Sequence, residues 1–192
     1  MPIEIEAKMR LPDKPALEAA LAAAGASHNC VVLEENILFD TRQSSLLASD
    51  RGLRFRIERD ASTKVVTRTS MTYKGPRTHS TLKSRREIEI PVDVSGVEAT
   101  IELFAELGYL EVVRYEKVRE IWNLDNCVVD IDELPYLGHF VEIESTVETH
   151  VLAARKKLGL ASSPIVKSSY ISMLLTHLNE IGLRDTHVRF SR

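Results

Sequence analysis

Ile3-Glu4-Ile5-Glu6-Ala7-Lys8 opens the chain, and the reading of this stretch decides the fold. From Pro2 to Leu11 apolar and polar residues alternate strictly, which predicts a strand with Ile3, Ile5 and Ala7 on one face and Glu4, Glu6 and Lys8 on the other. Successive side chains on a strand point to opposite faces, so charges two residues apart sit side by side on one surface. A single strand of this kind is ordinarily the solvated face of a sheet. Here the spacing recurs in Arg54/Arg56, Arg85/Glu87/Glu89, Lys117/Arg119, Asp130/Asp132 and Glu142/Glu144. The opposite faces are as consistently apolar: Phe55/Ile57, Ile88/Ile90, Val118/Trp122, Val129/Ile131 and Val141/Ile143. If the sheet curls, those apolar faces pack outward under helices and the charged faces line the interior, an inverted barrel. Unpaired interior charges cost on the order of several kcal/mol each, so such a barrel makes sense only around a charged ligand.

Outward from this strand, Asp13-Lys14-Pro15 caps an alanine-rich helix that ends at Gly25, with an acid at the N-cap and proline in the first turn. Val31–Phe39, Gly52–Arg59, Val65–Tyr73 and Arg85–Val94 read as strands, the last two joined by a polar stretch, 75–84, that reads as a mobile loop. Ser95 with Glu98 three residues on reads as a capping box opening a helix that ends at Gly108. Tyr115–Leu124, Cys127–Asp132 and Phe140–Ser145 complete the strands, and Val147–Leu158 and Ser169–Ile181 have helical spacing. The expectation is an α+β chain: an eight-stranded antiparallel barrel with a charged interior, flanked by about four helices. Residues 1–192 read as one domain, with 184–192 a frayed tail.

Composition excludes several classes. The 25 basic and 28 acidic side chains nearly balance, which argues against a nucleic-acid-coating protein. Cys30 and Cys127 have neither CxxC spacing nor a histidine pair near them, so no zinc site or disulfide framework is expected, and a reducing cytoplasm is the simplest compartment. The first residues carry acids where an export signal would be apolar, and no apolar run approaches the roughly 20 residues of a membrane span.

Sorting the alternating charges by sign defines the ligand. Glu4, Glu6, Asp130, Asp132, Glu142 and Glu144 are hard oxygen ligands suited to Mg²⁺ or Mn²⁺, cations that keep waters and bridge to substrate phosphates. Lys8, Arg54, Arg56, Lys74, Arg85, Lys117 and Arg119 are donors to phosphate oxygens. Acids for a metal and bases for an anion in one cavity describe a polyphosphate site. Glu87 and Glu89 have a competing reading as carboxylates that pair with Arg54 or Arg85 and hold them. Lys74 and Lys83 flank the polar stretch as a lid would, although a solvated Lys83 is an equal reading. The histidines show no ligand spacing, and Tyr170 and Trp122 read as packing residues, with stacking on a base at the barrel mouth as the alternative.

These motifs resemble the CYTH family, also called triphosphate tunnel metalloenzymes, whose hallmark is an N-terminal ExExK strand. The resemblance runs in order through Glu4-x-Glu6-x-Lys8, Arg54-x-Arg56, Lys74-Gly75-Pro76, Arg85-x-Glu87-x-Glu89, Lys117-x-Arg119, Asp130-x-Asp132 and Glu142-x-Glu144. The Lys74-Gly75-Pro76 block and Ser169-Tyr170 with Leu174 and Leu175 resemble the class IV adenylate cyclase branch more than the thiamine triphosphatase branch. The resemblance implies an eight-stranded tunnel and a metal-assisted attack on a triphosphate: ATP cyclisation first, or hydrolysis of tripolyphosphate or thiamine triphosphate. A non-catalytic polyphosphate or nucleotide sensor is the remaining alternative. It further implies Glu4, Glu6, Glu142 and Glu144 around the metal with Asp130 or Asp132, and a catalytic phosphate clamp of Lys8, Arg54, Arg56, Lys117 and Arg119. A homodimer is expected on the resemblance alone. Asn36 and Leu38 depart from the family's Asp-x-Tyr-Phe-Asp pattern, a departure that bears on substrate recognition.

Overall fold

The computed structural model describes residues 3–77, 82–183 and 186–191, without the side chains of Ile3, Lys83 and Ser84. In chain order the elements are β1 (Ile3–Arg10), α1 (Lys14–Ala23), β2 (Ser27–Thr41), α2 (Ser45–Ala48), β3 (Gly52–Asp60), β4 (Val66–Arg77) and β5 (Lys83–Pro91). Then follow α3 (Val97–Glu106), β6 (Tyr109–Leu124), β7 (Cys127–Leu134), β8 (Gly138–Ser145), α4 (Glu148–Lys157), α5 (Tyr170–Glu180) and β9 (His187–Val188). Strands β2-β3-β4-β5-β1-β8-β7-β6 hydrogen-bond in that order, and a β2–β6 ladder closes the ring. The result is the closed antiparallel barrel of eight strands that the alternating charges predict.

Helices cover the outer face because that is where the apolar half of each strand points. Leu17 and Leu21 of α1 and Val151, Ala154 and Leu158 of α4 pack on Ala7, Met9, Val129, Ile131, Val141 and Ile143. Around the barrel, Phe104 of α3 covers Ile37, Phe39, Phe55 and Ile57. The remaining helix behaves differently. Tyr170, Leu174 and Leu178 of α5 join Tyr115, Leu134, Phe140 and Val188, with Leu38 at the edge, in a third apolar cluster. Tyr115, Leu134, Phe140 and Leu38 have the same strand parity as the inward charges, so α5 lies across one end of the barrel.

Several local features differ from the expectations. Among the described residues there are five α-helices, the additional one being the single turn α2. No hydrophobic period exists in so short an element; α2 forms because Asp40 accepts from the backbone amides of Leu46 and Leu47, both at 2.9 Å. Ser95 does not cap α3: Asp93 caps a 3-10 turn over Val94–Gly96, and α3 starts at Val97. Gly75 to Arg77 and Lys83 to Ser84 belong to strands, while the centre of the polar stretch, 78–81, lies outside the described residues. The tail is not frayed throughout. His187 and Val188 pair in parallel with Arg114 and Tyr115, and Val188 is buried in the α5 cluster, while residues 184, 185 and 192 lie outside the described set.

Candidate active site

Every stave of the barrel sends alternate side chains inward, and the register brings the predicted residues into one cavity. Glu6 stands opposite Glu144, Lys8 opposite Glu142, and Asp130 also opposite Glu142. Lys117 faces Glu34 across β6–β2, and Arg119 faces Asp132 across β6–β7. Lys8, Lys117, Arg119, Asp130, Asp132 and Glu142 are all buried, an extreme concentration of charge for a protein interior. Such a set is stable only if the charges pair or await a ligand.

Carboxylates gather on the β7–β8 side. One oxygen each from Asp130, Glu142 and Glu144 lies within 4.8 Å of the others. Burial and the neighbouring Asp132 and Glu142 push the Asp130 carboxyl up to about 7 against the pull of Arg119. Withdrawal from water, then Glu142, Asp130 and Glu6, drive Glu144 well above the usual carboxylate range. Like charges this close resist ionising together unless a cation arrives. Asp130 Oδ1 is buried with no hydrogen-bond partner, and the donor set is entirely hard oxygen. The cluster therefore fits a divalent ion of the Mg²⁺ or Mn²⁺ kind.

Arg54, Arg56, Lys117 and Arg119 come from β3 and β6 and Lys8 from β1, and each approaches an acid. Arg56 meets Glu34 at 3.0 Å, and Lys117 meets Asp132 at 3.1 Å and Glu34 at 3.3 Å. Arg119 bonds Asp132 through Nε at 2.7 Å, and also reaches Asp130 and Glu142, both at 2.5 Å. Lys8 lies 3.1 Å from Glu142 and 3.6 Å from Glu6. Burial alone would lower the Lys8 ammonium, but Glu142 and Glu6 hold it above its ordinary value. Arg54 Nε and Arg85 Nε are buried without hydrogen-bond partners, donors that an anion in the cavity would satisfy.

The predicted metal set separates into groups. Asp130, Glu142 and Glu144 cluster and Glu6 borders them, but Asp132 is taken up by Arg119, Lys117 and Tyr170. Glu4 sits at the solvent-exposed rim, where partial burial and the charge of Glu87 raise it, and is not in the cluster. Lys74 pairs with Glu87 at 2.6 Å, Arg85 approaches Glu87 at 3.6 Å, and Arg54 approaches Glu89 at 3.8 Å. Glu87 and Glu89 thus do hold cations in place, as their competing reading has it. The lid reading falls on residues 78–81 and the Lys83 side chain, outside the described residues.

One interior group, Glu34, escaped the sequence reading, and the contacts of two named residues, Asn36 and Tyr170, were not foreseen. Glu34 is buried, and Arg56, Lys117, Arg119 and Arg54 overcome the effect of burial to hold it well below the usual carboxylate range. Asn36 is fully buried, donates to Glu34 and accepts from Arg56 Nε at 3.0 Å. Tyr170, read first as a packing residue, donates its hydroxyl to Asp132 at 2.8 Å. Glu34-x-Asn36 has the same two-residue spacing as the other charged pairs, which is the signal that could have found it. Tyr170 comes from a helix that crosses the barrel end, and strand spacing carries no information about it.

The fold and site together define a closed barrel whose interior joins a carboxylate cluster to a set of arginines and lysines. A model of the CYTH domain matches residues 2–170, and the chain belongs to that family. A Methanocaldococcus jannaschii protein provisionally named an adenylate cyclase is 28% identical over 180 residues, covering 89% of this chain and 98% of that protein. The Aeromonas hydrophila adenylate cyclase CyaB is 27% identical over 180 residues, 87% of this chain and 86% of that one. Among solved structures, the Pyrococcus horikoshii OT3 protein PH1819 superposes with a TM-score of 0.78 at 26% identity, over 91% of this chain and 99% of that chain. A Hippeastrum protein, provisionally an adenylyl cyclase and described as having a dominant triphosphatase activity, superposes with a TM-score of 0.67 at 20% identity, over 91% and 96% of the two chains. Among the described residues, no helix is long and apolar enough to cross a membrane.

Proposed function

We propose that this chain is a divalent-metal-dependent enzyme acting on a triphosphate, and that its reaction is conversion of ATP to cyclic AMP and pyrophosphate. The observation that carries the triphosphate reading is the carboxylate cluster of Asp130, Glu142 and Glu144 beside the Arg119, Lys117, Lys8, Arg54 and Arg56 cations inside one barrel. The cyclase reading draws support from the curated relatives named adenylate cyclases, which align over most of their length. The family's other chemistry, hydrolysis, is the second reading; the Hippeastrum protein combines a cyclase name with a dominant triphosphatase activity.

Asp130, Glu142 and Glu144 would hold the ion, with Glu6 beside them; when bound, it supplies positive charge to the substrate's phosphate oxygens. Lys8, Arg54, Arg56, Lys117 and Arg119 bind the remaining oxygens, and Lys74 and Arg85 extend the basic wall toward the rim. The ribose 3′-oxygen attacks the α-phosphorus, the bond to the bridging oxygen breaks, pyrophosphate departs, and the hydroxyl proton passes to solvent water. The clamp neutralises charge growing on the bridging oxygen, and preorganised donors of this kind dominate phosphoryl chemistry. With water as nucleophile on the terminal phosphorus, the same residues serve hydrolysis.

Incubation of the purified chain with ATP and Mg²⁺ or Mn²⁺, and separately with tripolyphosphate and thiamine triphosphate, tests the proposal. Cyclic AMP and pyrophosphate from ATP are expected. Orthophosphate from tripolyphosphate or thiamine triphosphate without a cyclic product moves the assignment to triphosphatase. Tight binding without turnover under any metal leaves a sensor.

A further inference from the structure

We propose that Tyr170 is a positioning residue for the phosphate clamp: its ring face holds the Lys8 and Lys117 ammonium groups in the cavity floor without neutralising them. The inference rests on the triphosphate reading above and adds to it a residue from outside the barrel strands. Lys8 Nζ stands 3.9 Å from the centroid of the Tyr170 ring, and Lys117 Nζ stands 5.3 Å from it. Both ammoniums are buried, and both distances fall within the reach of cation–π attraction. Glu142 and Glu6 already meet Lys8, and Asp132 and Glu34 meet Lys117; one more carboxylate in the ring's place would weaken further the field that a phosphate must feel. The quadrupole of a ring attracts a cation and carries no net charge.

The ring is itself fixed from three directions. Its hydroxyl donates to Asp132, whose oxygens also accept from Lys117 and Arg119, so the phenol ties into the clamp's own acid. Burial and the charge of Asp132 push the phenol well above its ordinary range, which keeps that donor proton in place. Phe140 packs edge-on against the ring at a centroid distance of 5.2 Å. The segment before α5 is anchored to the same strand as Lys8: Val166 N–H donates to the Lys8 carbonyl at 2.8 Å, and Lys8 Nζ donates to the Ser168 carbonyl at 3.3 Å. Ser169 caps α5 by accepting from Ser172 N–H, so Tyr170 enters the cavity from a fixed helix start.

The test compares Tyr170→Phe with Tyr170→Leu in the full chain, at a temperature where circular dichroism shows both folded. Calorimetric titration with inorganic tripolyphosphate in the presence of a chelator reads the clamp without turnover or metal. Tyr170→Phe keeps the ring and is expected to bind within about threefold of the parent; Tyr170→Leu is expected to bind about tenfold more weakly. A Tyr170 that merely packs would lower thermal stability in Tyr170→Leu and leave tripolyphosphate affinity unchanged, which overturns the proposal, as does equal weakening in both variants. Side-chain NMR of Lys8 gives a readout that needs no ligand: upfield ring-current shifts in the parent and in Tyr170→Phe, absent in Tyr170→Leu. Ordinary Lys8 shifts in the parent would refute the ring placement. A parent chain that shows those shifts but binds no tripolyphosphate either in chelator or with Mn²⁺ breaks the triphosphate reading instead.

Discussion

On β7 and β8 the inward carboxylates of Asp130, Glu142 and Glu144 crowd one another, while on β3 and β6 the cations Arg54, Arg56, Lys117 and Arg119 each approach an acid. The two sectors follow the same strand periodicity and face opposite problems. The acids have more negative charge than the protein supplies cations for, and two of them are driven toward the protonated form. The cations are matched by their acids, and an anion must compete for them. Arg119 joins the sectors, because its guanidinium serves Asp130 and Glu142 on one side and lies near Glu34 on the other. A metal taking the carboxylates would release Arg119 to the phosphate that comes with it. The contrast therefore teaches that one arginine is shared between the two sectors, so that under the proposed function metal and anion binding would be coupled through it.

Removing that shared group should break the contrast most severely. Arg119→Ala leaves Asp130, Asp132, Glu142 and Glu34 without their common partner in a buried setting, and loss of one member of a buried ionic set costs about 3–5 kcal/mol. Urea unfolding without metal should show that loss, and Mn²⁺ should recover part of it. A stability equal to the parent's would mean that the acids do not need Arg119. Next in size, Glu142→Gln keeps the shape of the cluster while removing a charge. Even outer partners of a metal site are worth about 10–100-fold in affinity, so Mn²⁺ binding by calorimetry should weaken by at least that range. Undiminished Mn²⁺ affinity would place the ion elsewhere.

The contrast also shows what the sequence could carry. Period-two charge spacing was enough for six of the eight strands and their inward faces, because strand geometry sends such residues to one side without further information; that Lys8 stands opposite Glu142 came only from the register. The spacing could not separate Asp132 from Asp130. Both are acids of the same stave and both meet Arg119; only the added bonds from Lys117 and Tyr170 tie up Asp132, while Asp130 lies with Glu142 and Glu144. Glu4 shares a face with Glu6 but lies at the rim, since depth along a tilted strand is a property of the closed barrel. The docked tail at His187–Val188 was invisible because two residues have no period, and α5 reads as an amphipathic helix whether it covers the outside of a barrel or its end.

Acid titration sharpens the comparison from the cationic side. Glu34 is held well below its ordinary pKa by Arg56, Lys117, Arg119 and Arg54. A carboxyl depressed on folding contributes stability that is complete above its unfolded pKa, about 4.3, and is lost as pH falls through the depressed folded value. Metal-free protein should therefore lose stability below about pH 4, at up to roughly 1.4 kcal/mol per pH unit from this group. Glu34→Gln should be less stable at neutral pH and show a flatter acid limb in urea melts against pH. An acid limb of unchanged slope would sink the assignment of Glu34 as the cations' anchor.

The smallest effect belongs to Asn36, which stands between the anchor and the clamp. Its amide donates to Glu34 while its oxygen accepts from Arg56, so it joins an acid and a base without adding charge to either. Asn36→Asp has nearly the same shape and preserves the acceptor for Arg56. It turns the donor facing Glu34 into a second acid, however, and gives Arg56 another carboxylate from which a phosphate must take it. Tripolyphosphate binding in chelator should weaken by about threefold, corresponding to roughly 0.7 kcal/mol, with Mn²⁺ affinity untouched because Asn36 bonds Glu34 and Arg56 and none of the three clustered carboxylates. If Asn36→Asp instead strengthened Mn²⁺ binding, the division of the wall into a metal side and an anion side would be wrong at this position, and the neutral amide would be keeping a second cation out.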